Sequence, residues 1–134
     1  MQRIATCLMF VGEQCGRAEE AMGLYVGAFE DARVDEVTRD EAGEGTHIKQ
    51  ARFTLAGRPF VAMDSAAPHQ FTFTPAISLF VDMEDPGELD AAFATLAEGG
   101  SVLMPLQAYP FSPRFGWLQD RYGISWQLTL PTTL

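Results

Sequence analysis

The feature that most constrains this chain is one pattern run through twice: an apolar strand, an amphipathic helix, then three more strand-like segments. In the first pass, residues 3–11 (RIATCLMFV) read as a strand. Residues 15–29 then set Ala18, Ala21, Met22, Tyr25, Val26 and Phe29 on a single apolar face of a 3.6-residue helix. Strands are expected at 32–40, 47–56 and 59–65, parted by turns at Glu41–Gly45 and Gly57-Arg58. In the second pass, 76–83 (AISLFVDM) is the strand and 85–98 the helix. There Asp85 suits the N-cap, Pro86 the first turn, and Glu88 can reach back to the cap. Leu89, Ala92, Phe93 and Leu96 form the stripe to be buried, and Gly99-Gly100 ends the helix in a left-handed turn. Strands near 101–107, 113–119 and 124–130 complete the pass. Phe10-Val11-Gly12 and Phe80-Val81-Asp82 stand 70 positions apart, as do Cys15 and Asp85. The order predicts one α+β domain of two βαβββ modules, 1–66 and 76–131, joined by a connector at 67–75. Their curved mixed sheets are expected to face each other around a cleft.

A chain of 134 residues is long enough for one domain with a real core. Its 47% hydrophobic and 20% charged residues match a folded globular protein rather than a disordered one. The net charge is −9 with a single Lys, so there is no basic stripe to displace counterions, and nucleic acid and anionic membrane are not expected partners. Residues 30–44 are strongly acidic and read as a solvated edge that keeps the protein soluble. No apolar run approaches the ~20 residues of a transmembrane helix. The opening MQRIATCLMFVGEQCG lacks a small-residue cleavage site and reads as a first strand, not a signal peptide. Cys7 and Cys15 form no metal knuckle or CxxC pair, and they are expected as free thiols in a reducing cytoplasm, with Cys7 in the core.

A module of this size covers one sheet face with its own helix and leaves the other for a second layer, and two such faces make a concave small-molecule site. On the last strand Ile124, Trp126, Leu128 and Leu130 alternate with Ser125, Gln127 and Thr129. The apolar set should pack under a helix and the polar set look into the cleft, although half-polar strands also simply face water. Tyr109, Phe111, Phe115 and Trp117, set around Pro110 and Pro113, could wall a ligand or belong to the core. Arg114 and Arg121 are candidates to hold an anion, with a neighbouring acid as the competing partner.

The stretches LMFVG and AEEAMGLYVGAF, then AISLFVD, then FGWLQDRYGISWQLTL carry a resemblance that covers nearly the whole chain. It is strongest over Gly116–Gln127. They resemble the PhnB-like branch of the vicinal-oxygen-chelate (glyoxalase/bleomycin-resistance) superfamily, a branch labelled 3-demethylubiquinone-9 3-methyltransferase-like. The resemblance implies paired βαβββ modules and a homodimer. The methyltransferase label finds no support in the residues: Gly43-Glu44-Gly45 falls in a hairpin turn, and Gly12 lacks the setting of a nucleotide-binding glycine turn.

Metal-binding members of the wider superfamily take ligands from the first and last strands of each half. Carried over by the FVG, FVD and last-strand motifs, those positions fall on Thr6, near Asp64, on Ala76 and on Gln127. A catalytic metal wants about three N, S or O ligands, and this set offers at most two, so no metal or other cofactor is expected. His47 and His69 lie away from these positions. The cleft is expected to be lined by Thr6, Asp64, Ser78, Trp117, Ser125 and Gln127. Asp64 is the one carboxylate that could serve there as an acid or base, its apolar approach raising its pKa; a strand-end Asp capping its own turn is the competing reading. Three functions follow in order: a metal-free binder of a small, largely apolar molecule; a metal-dependent or Asp64-assisted lyase or isomerase; and a partner-binding protein using the acidic 30–44 edge.

Overall fold

A computed structural model of the protein describes residues 1–41 and 47–132. The expected turn at Glu41–Gly45, the Gly43-Glu44-Gly45 run and the end of the acidic segment fall largely or wholly outside these residues. The chain divides into two compact units, Met1–Thr72 and Phe73–Leu134, each with one helix and one four-stranded mixed sheet. The expected α+β class and the twofold βαβββ order are both present.

The first unit runs β1 (Thr6–Phe10), a 3₁₀ turn at Gly12–Gln14, α1 (Ala18–Ala28), β2 (Arg33–Arg39), β3 (Ile48–Leu55) and β4 (Arg58–Asp64). Its sheet order is β1-β4-β3-β2, with β1 parallel to β4 and the other pairs antiparallel. The helix starts at the first residue of its apolar stripe, Ala18, and not at residue 15 as expected, because Gly12 and Gly16 take positive φ (58° and 94°) and hold residues 12–17 in tight turns. The β3–β4 hairpin turns on Ala56-Gly57, one residue earlier than the sequence suggested. Both have positive φ, the geometry that matches the twist of paired strands. Ala18, Ala21, Met22 and Tyr25 of α1 are buried with Leu8, Phe10, Ile48, Ala51, Phe53 and Ala62. At roughly 1.5–3 kcal/mol for each large side chain removed from water, this layer dominates the unit's stability.

The second unit runs β5 (Ser78–Asp82), α2 (Pro86–Ala97), β6 (Ser101–Tyr109), β7 (Ser112–Gln119) and β8 (Ser125–Leu130), in sheet order β5-β8-β7-β6. Here β5 is parallel to β8 and the other pairs are antiparallel. Helix α2 begins as its sequence dictates: Asp85 Oδ1 accepts from the N–H groups of Gly87 (2.7 Å) and Glu88 (3.0 Å). It buries Leu89, Ala92, Phe93 and Leu96 against Leu118, Trp126 and Leu128. The seam is tight: a Cβ at Gly116 would lie 2.4 Å from Phe93.

One expectation about a single residue fails. Cys7 is exposed, not core, because it sits on the β1 face that α1 leaves uncovered. The β2 edge is exposed throughout, yet its acids are partly neutralised in place: Arg33 pairs with Asp31 and Asp35, and Arg52 with Glu36. Arg39 of β2 also grips Glu19 of α1.

Candidate functional site

Strand register decides which predicted residues can meet, since paired residues share a face and neighbours along a strand do not. In the second sheet Ser78 pairs with Ser125 and Phe80 with Gln127; across β7, Gln127 pairs with Trp117 and Ser125 with Gln119. These residues share the face opposite α2. Trp126 and Leu128 take the other face, where Gly116 meets Phe93.

The four cleft residues predicted from this half form one hydrogen-bonded network. Trp117 Nε1 donates to Ser125 Oγ at 2.8 Å, the two serine hydroxyls lie 2.6 Å apart, and Gln127 Nε2 donates to Ser78 Oγ at 3.1 Å. Ser125 is only 1% exposed, because the Trp117 indole and Ser78 close over it. Ser78, Trp117 and Gln127 are half-buried. Thr129, expected on the open face with them, is instead buried and exchanges a hydrogen bond with Ser112 (2.9 Å). Sequence reasoning missed Phe80, which stands 60% exposed on the same face in register with Gln127, and Asp82 one repeat further on. The signal was available: once Ser78 is placed in the cleft, the two-residue period of the strand carries Phe80 and Asp82 with it.

The two cleft residues predicted from the first half do not join such a face. Thr6 pairs with Phe60 and Phe10 with Asp64, which places Thr6 and Asp64 on the side of the sheet that α1 covers. Thr6 itself is exposed near the start of the strand. Asp64 is committed to backbone: Oδ1 accepts from Gly16 N (2.7 Å) and Ala18 N (3.2 Å), and Oδ2 from Ile48 N (2.9 Å). The residue at the start of α1, Arg17, makes no side-chain cap, so a carboxylate 46 residues away from Ala18 caps the helix instead. The expectation of Asp64 as a cleft acid or base is therefore corrected.

The error has a definite source. Phe10 is fully buried beneath α1 while Phe80 is largely exposed on the opposite kind of face, so the 70-residue FVG/FVD match joins strands one residue out of register. On β1 and β4 the residues opposite α1 are Cys7, Met9, Val61 and Met63. Ala76 precedes β5 and is exposed. On the open face of the second sheet the side chains next to Gln127 offer hydroxyls, with the single carboxylate of Asp82 two residues along β5 from Phe80. Among the described residues no three of His, Cys, Asp or Glu cluster as a metal would require. His47 lies against Gly16, and His69 Nε2 is 2.8 Å from Ser65 Oγ with its ring against Phe71.

The remaining candidates are placed as follows. Arg114 reaches Asp90 at 2.6 Å and Arg121 donates to the Glu98 carbonyl at 3.1 Å, so neither side chain waits for an anion. Tyr109, Phe111 and Phe115 pack on one another with ring centroids 5.0–5.7 Å apart, too close to admit a ligand between them. Asp120 is buried in the β7–β8 turn, accepting from Tyr122 N, Ile124 N and Trp126 Nε1. The glycine turn at Gly12–Gly16 does lie between a strand and a helix, but the start of that helix is already filled by Asp64. Among the described residues no helix is long and apolar enough to cross a membrane.

Comparison with known proteins agrees with this architecture. Residues 2–129 match the model of the 3-demethylubiquinone-9 3-methyltransferase family. A PhnB protein from Bacillus cereus carrying the same methyltransferase description shares 47% identity and superposes with a TM-score of 0.89, over 96% of this chain and 99% of that one. A Pseudomonas aeruginosa protein, 24% identical, shares the fold with a TM-score of 0.82 over 98% of each chain. A glyoxalase/bleomycin resistance protein from Albidiferax ferrireducens, 12% identical, does so at 0.59 over 93% of this chain and 96% of that one. The chain matches no curated protein.

Proposed function

The chain belongs to the 3-demethylubiquinone-9 3-methyltransferase (PhnB-like) family, of glyoxalase-like fold, and from that premise we propose that it binds a small, largely apolar molecule without a resident metal. The observation that carries this reading is the network of Ser78, Trp117, Ser125 and Gln127 on a sheet face not covered by its own helix, beside the exposed ring of Phe80. A few convergent polar groups set among aromatic side chains are what orient a ligand on an otherwise apolar surface. The same reading includes self-association as a homodimer, supported by the exposed Val102 and Leu103 of edge strand β6.

A thermal-shift screen of planar and apolar compounds, followed through Trp117 fluorescence, tests the reading. Hits should raise the melting temperature in proportion to the logarithm of their concentration and should lose their fluorescence response in Trp117→Phe. A screen in which no such compound raises it would overturn binding. Metal analysis of the purified protein belongs beside it, since a stoichiometric transition metal would overturn the metal-free part. The Asp-assisted lyase alternative gains no observation, because the Asp64 carboxylate is taken up by three backbone N–H groups.

A further inference from the structure

The hydroxyl pair at the centre of the network has a proton count that fixes what it can offer a ligand. Ser125 Oγ accepts the indole proton of Trp117 and is buried to 1%, so its own proton must be given inside the protein. The acceptor within reach is Ser78 Oγ, at 2.6 Å. Ser78 Oγ thus receives two protons, one from Ser125 and one from the Gln127 amide. Both its lone pairs are used, and its own O–H is left to donate outward from a half-buried side chain. Gln127 spends an N–H on Ser78, and its carbonyl oxygen is left to accept. A donor and an acceptor therefore stand on adjacent rows of one face, Ser78 in the row of Ser125 and Gln119, and Gln127 in the row between Phe80 on β5 and Trp117 on β7.

Charge narrows the ligand further. Arg114 and Arg121 are the only basic residues between Phe73 and Leu134. The first is engaged by Asp90, and the second reaches the Glu98 carbonyl. The titratable group on the open face is Asp82, which is exposed. An anion placed beside Gln127 would give up its hydration and, among the described residues of this unit, find both arginines already engaged.

We propose that Ser78 and Gln127 form a neutral donor–acceptor edge that selects uncharged planar molecules carrying an adjacent acceptor and donor, as a cyclic amide does, and discriminates against carboxylates and phosphonates. The inference rests on the binding reading above and adds the class of ligand. Three flat probes of similar size separate the possibilities when titrated into the full chain: 2-quinolone, with a C=O and N–H edge; 2-methoxyquinoline, with acceptors alone; and 2-naphthoate, an anion. Binding is read from Trp117 fluorescence and from the Trp117 indole N–H resonance. The quinolone should bind at least about tenfold tighter than the methoxy compound, since the latter leaves the Gln127 carbonyl unpaired, and the naphthoate should not saturate. Gln127→Leu removes the acceptor and keeps the Ser78 hydroxyl, so it should erase the preference between the first two probes. If that variant does not fold, the ranking on the native protein decides alone. Equal affinity for the two neutral probes, as a Gln127 amide turned end for end would give, overturns the edge while leaving a binding face; so does tighter binding of the naphthoate. Silence of Trp117 toward all three probes overturns the edge and, if the broad screen is also silent, the binding face with it.

Discussion

Asp64 and Asp120 show how a carboxylate that looks reactive in a sequence can be consumed by structure. Each gathers three N–H donors, Asp64 from Gly16, Ala18 and Ile48, Asp120 from Tyr122, Ile124 and the Trp126 indole. Charge-assisted bonds of this kind are worth about 1.5–3 kcal/mol each, and an N–H stranded near the interior costs a similar amount. Asp64→Ala should therefore lower unfolding stability by about 2–4 kcal/mol in urea titration, allowing for water that reaches the half-buried site. A residue held for ligand chemistry would instead cost binding and leave the midpoint nearly unchanged. At the same scale, the common sheet face of Trp117, Ser125 and Gln127 was legible because the alternation of β8 and the Gly116–Gln127 stretch fix their side of the sheet. Thr6 and Asp64 were not, because a strand position is known only as well as its register, and a slip of one residue moves a side chain to the opposite face.

The two helices occupy equivalent places in their units yet start differently. Helix α2 carries its own cap, and Asp85→Ala should cost about 1 kcal/mol by chemical denaturation. Helix α1 borrows its cap from the end of β4, a device no local pattern announces. Glycines at helix and turn seams set a second kind of constraint. A Cβ at Gly116 would press on the Phe93 ring, which can shift, whereas one at Gly100 would come within 2.2 Å of the Gln119 carbonyl, which is backbone. Gly116→Ala is thus expected to cost about 1–3 kcal/mol, and Gly100→Ala more, comparing their thermal midpoints. The Glu19–Arg39 pair ties α1 to the β2 edge, and its hydrogen bond from Arg39 holds the Glu19 carboxyl below the usual glutamate range. Its contribution is present in full above the ordinary glutamate pKa and is lost as pH falls through the depressed folded value. Arg39→Gln should therefore flatten the acid limb of the stability profile only slightly, since solvent screens so exposed a pair. The α2 stripe was fully legible, since Leu89, Ala92, Phe93 and Leu96 are buried as their spacing requires, whereas on the expected α1 stripe Val26 is half-buried and Phe29 lies past the end of the helix.

Over the whole molecule the excess of acid is the leading electrostatic fact. With a net charge of −9, repulsion among carboxylates opposes folding more than exposed ion pairs such as Arg33–Asp35 support it. Raising NaCl from low to moderate concentration should raise the melting temperature, and a fall would show that the surface pairs matter more than the net charge. The sequence by itself determined the α+β class, the twofold order of elements, the buried stripe of α2, the first turns of the α1 stripe and the cap of α2. These depend on periodicity and on neighbours within a turn, which the chain carries locally. Only the tertiary structure decided which carboxylates are taken up by backbone, which face of β1 and β4 each side chain takes, and that two serines 47 residues apart are joined by a hydrogen bond. Those are consequences of strand register and of long-range hydrogen bonding, and they exist only once separate segments lie side by side.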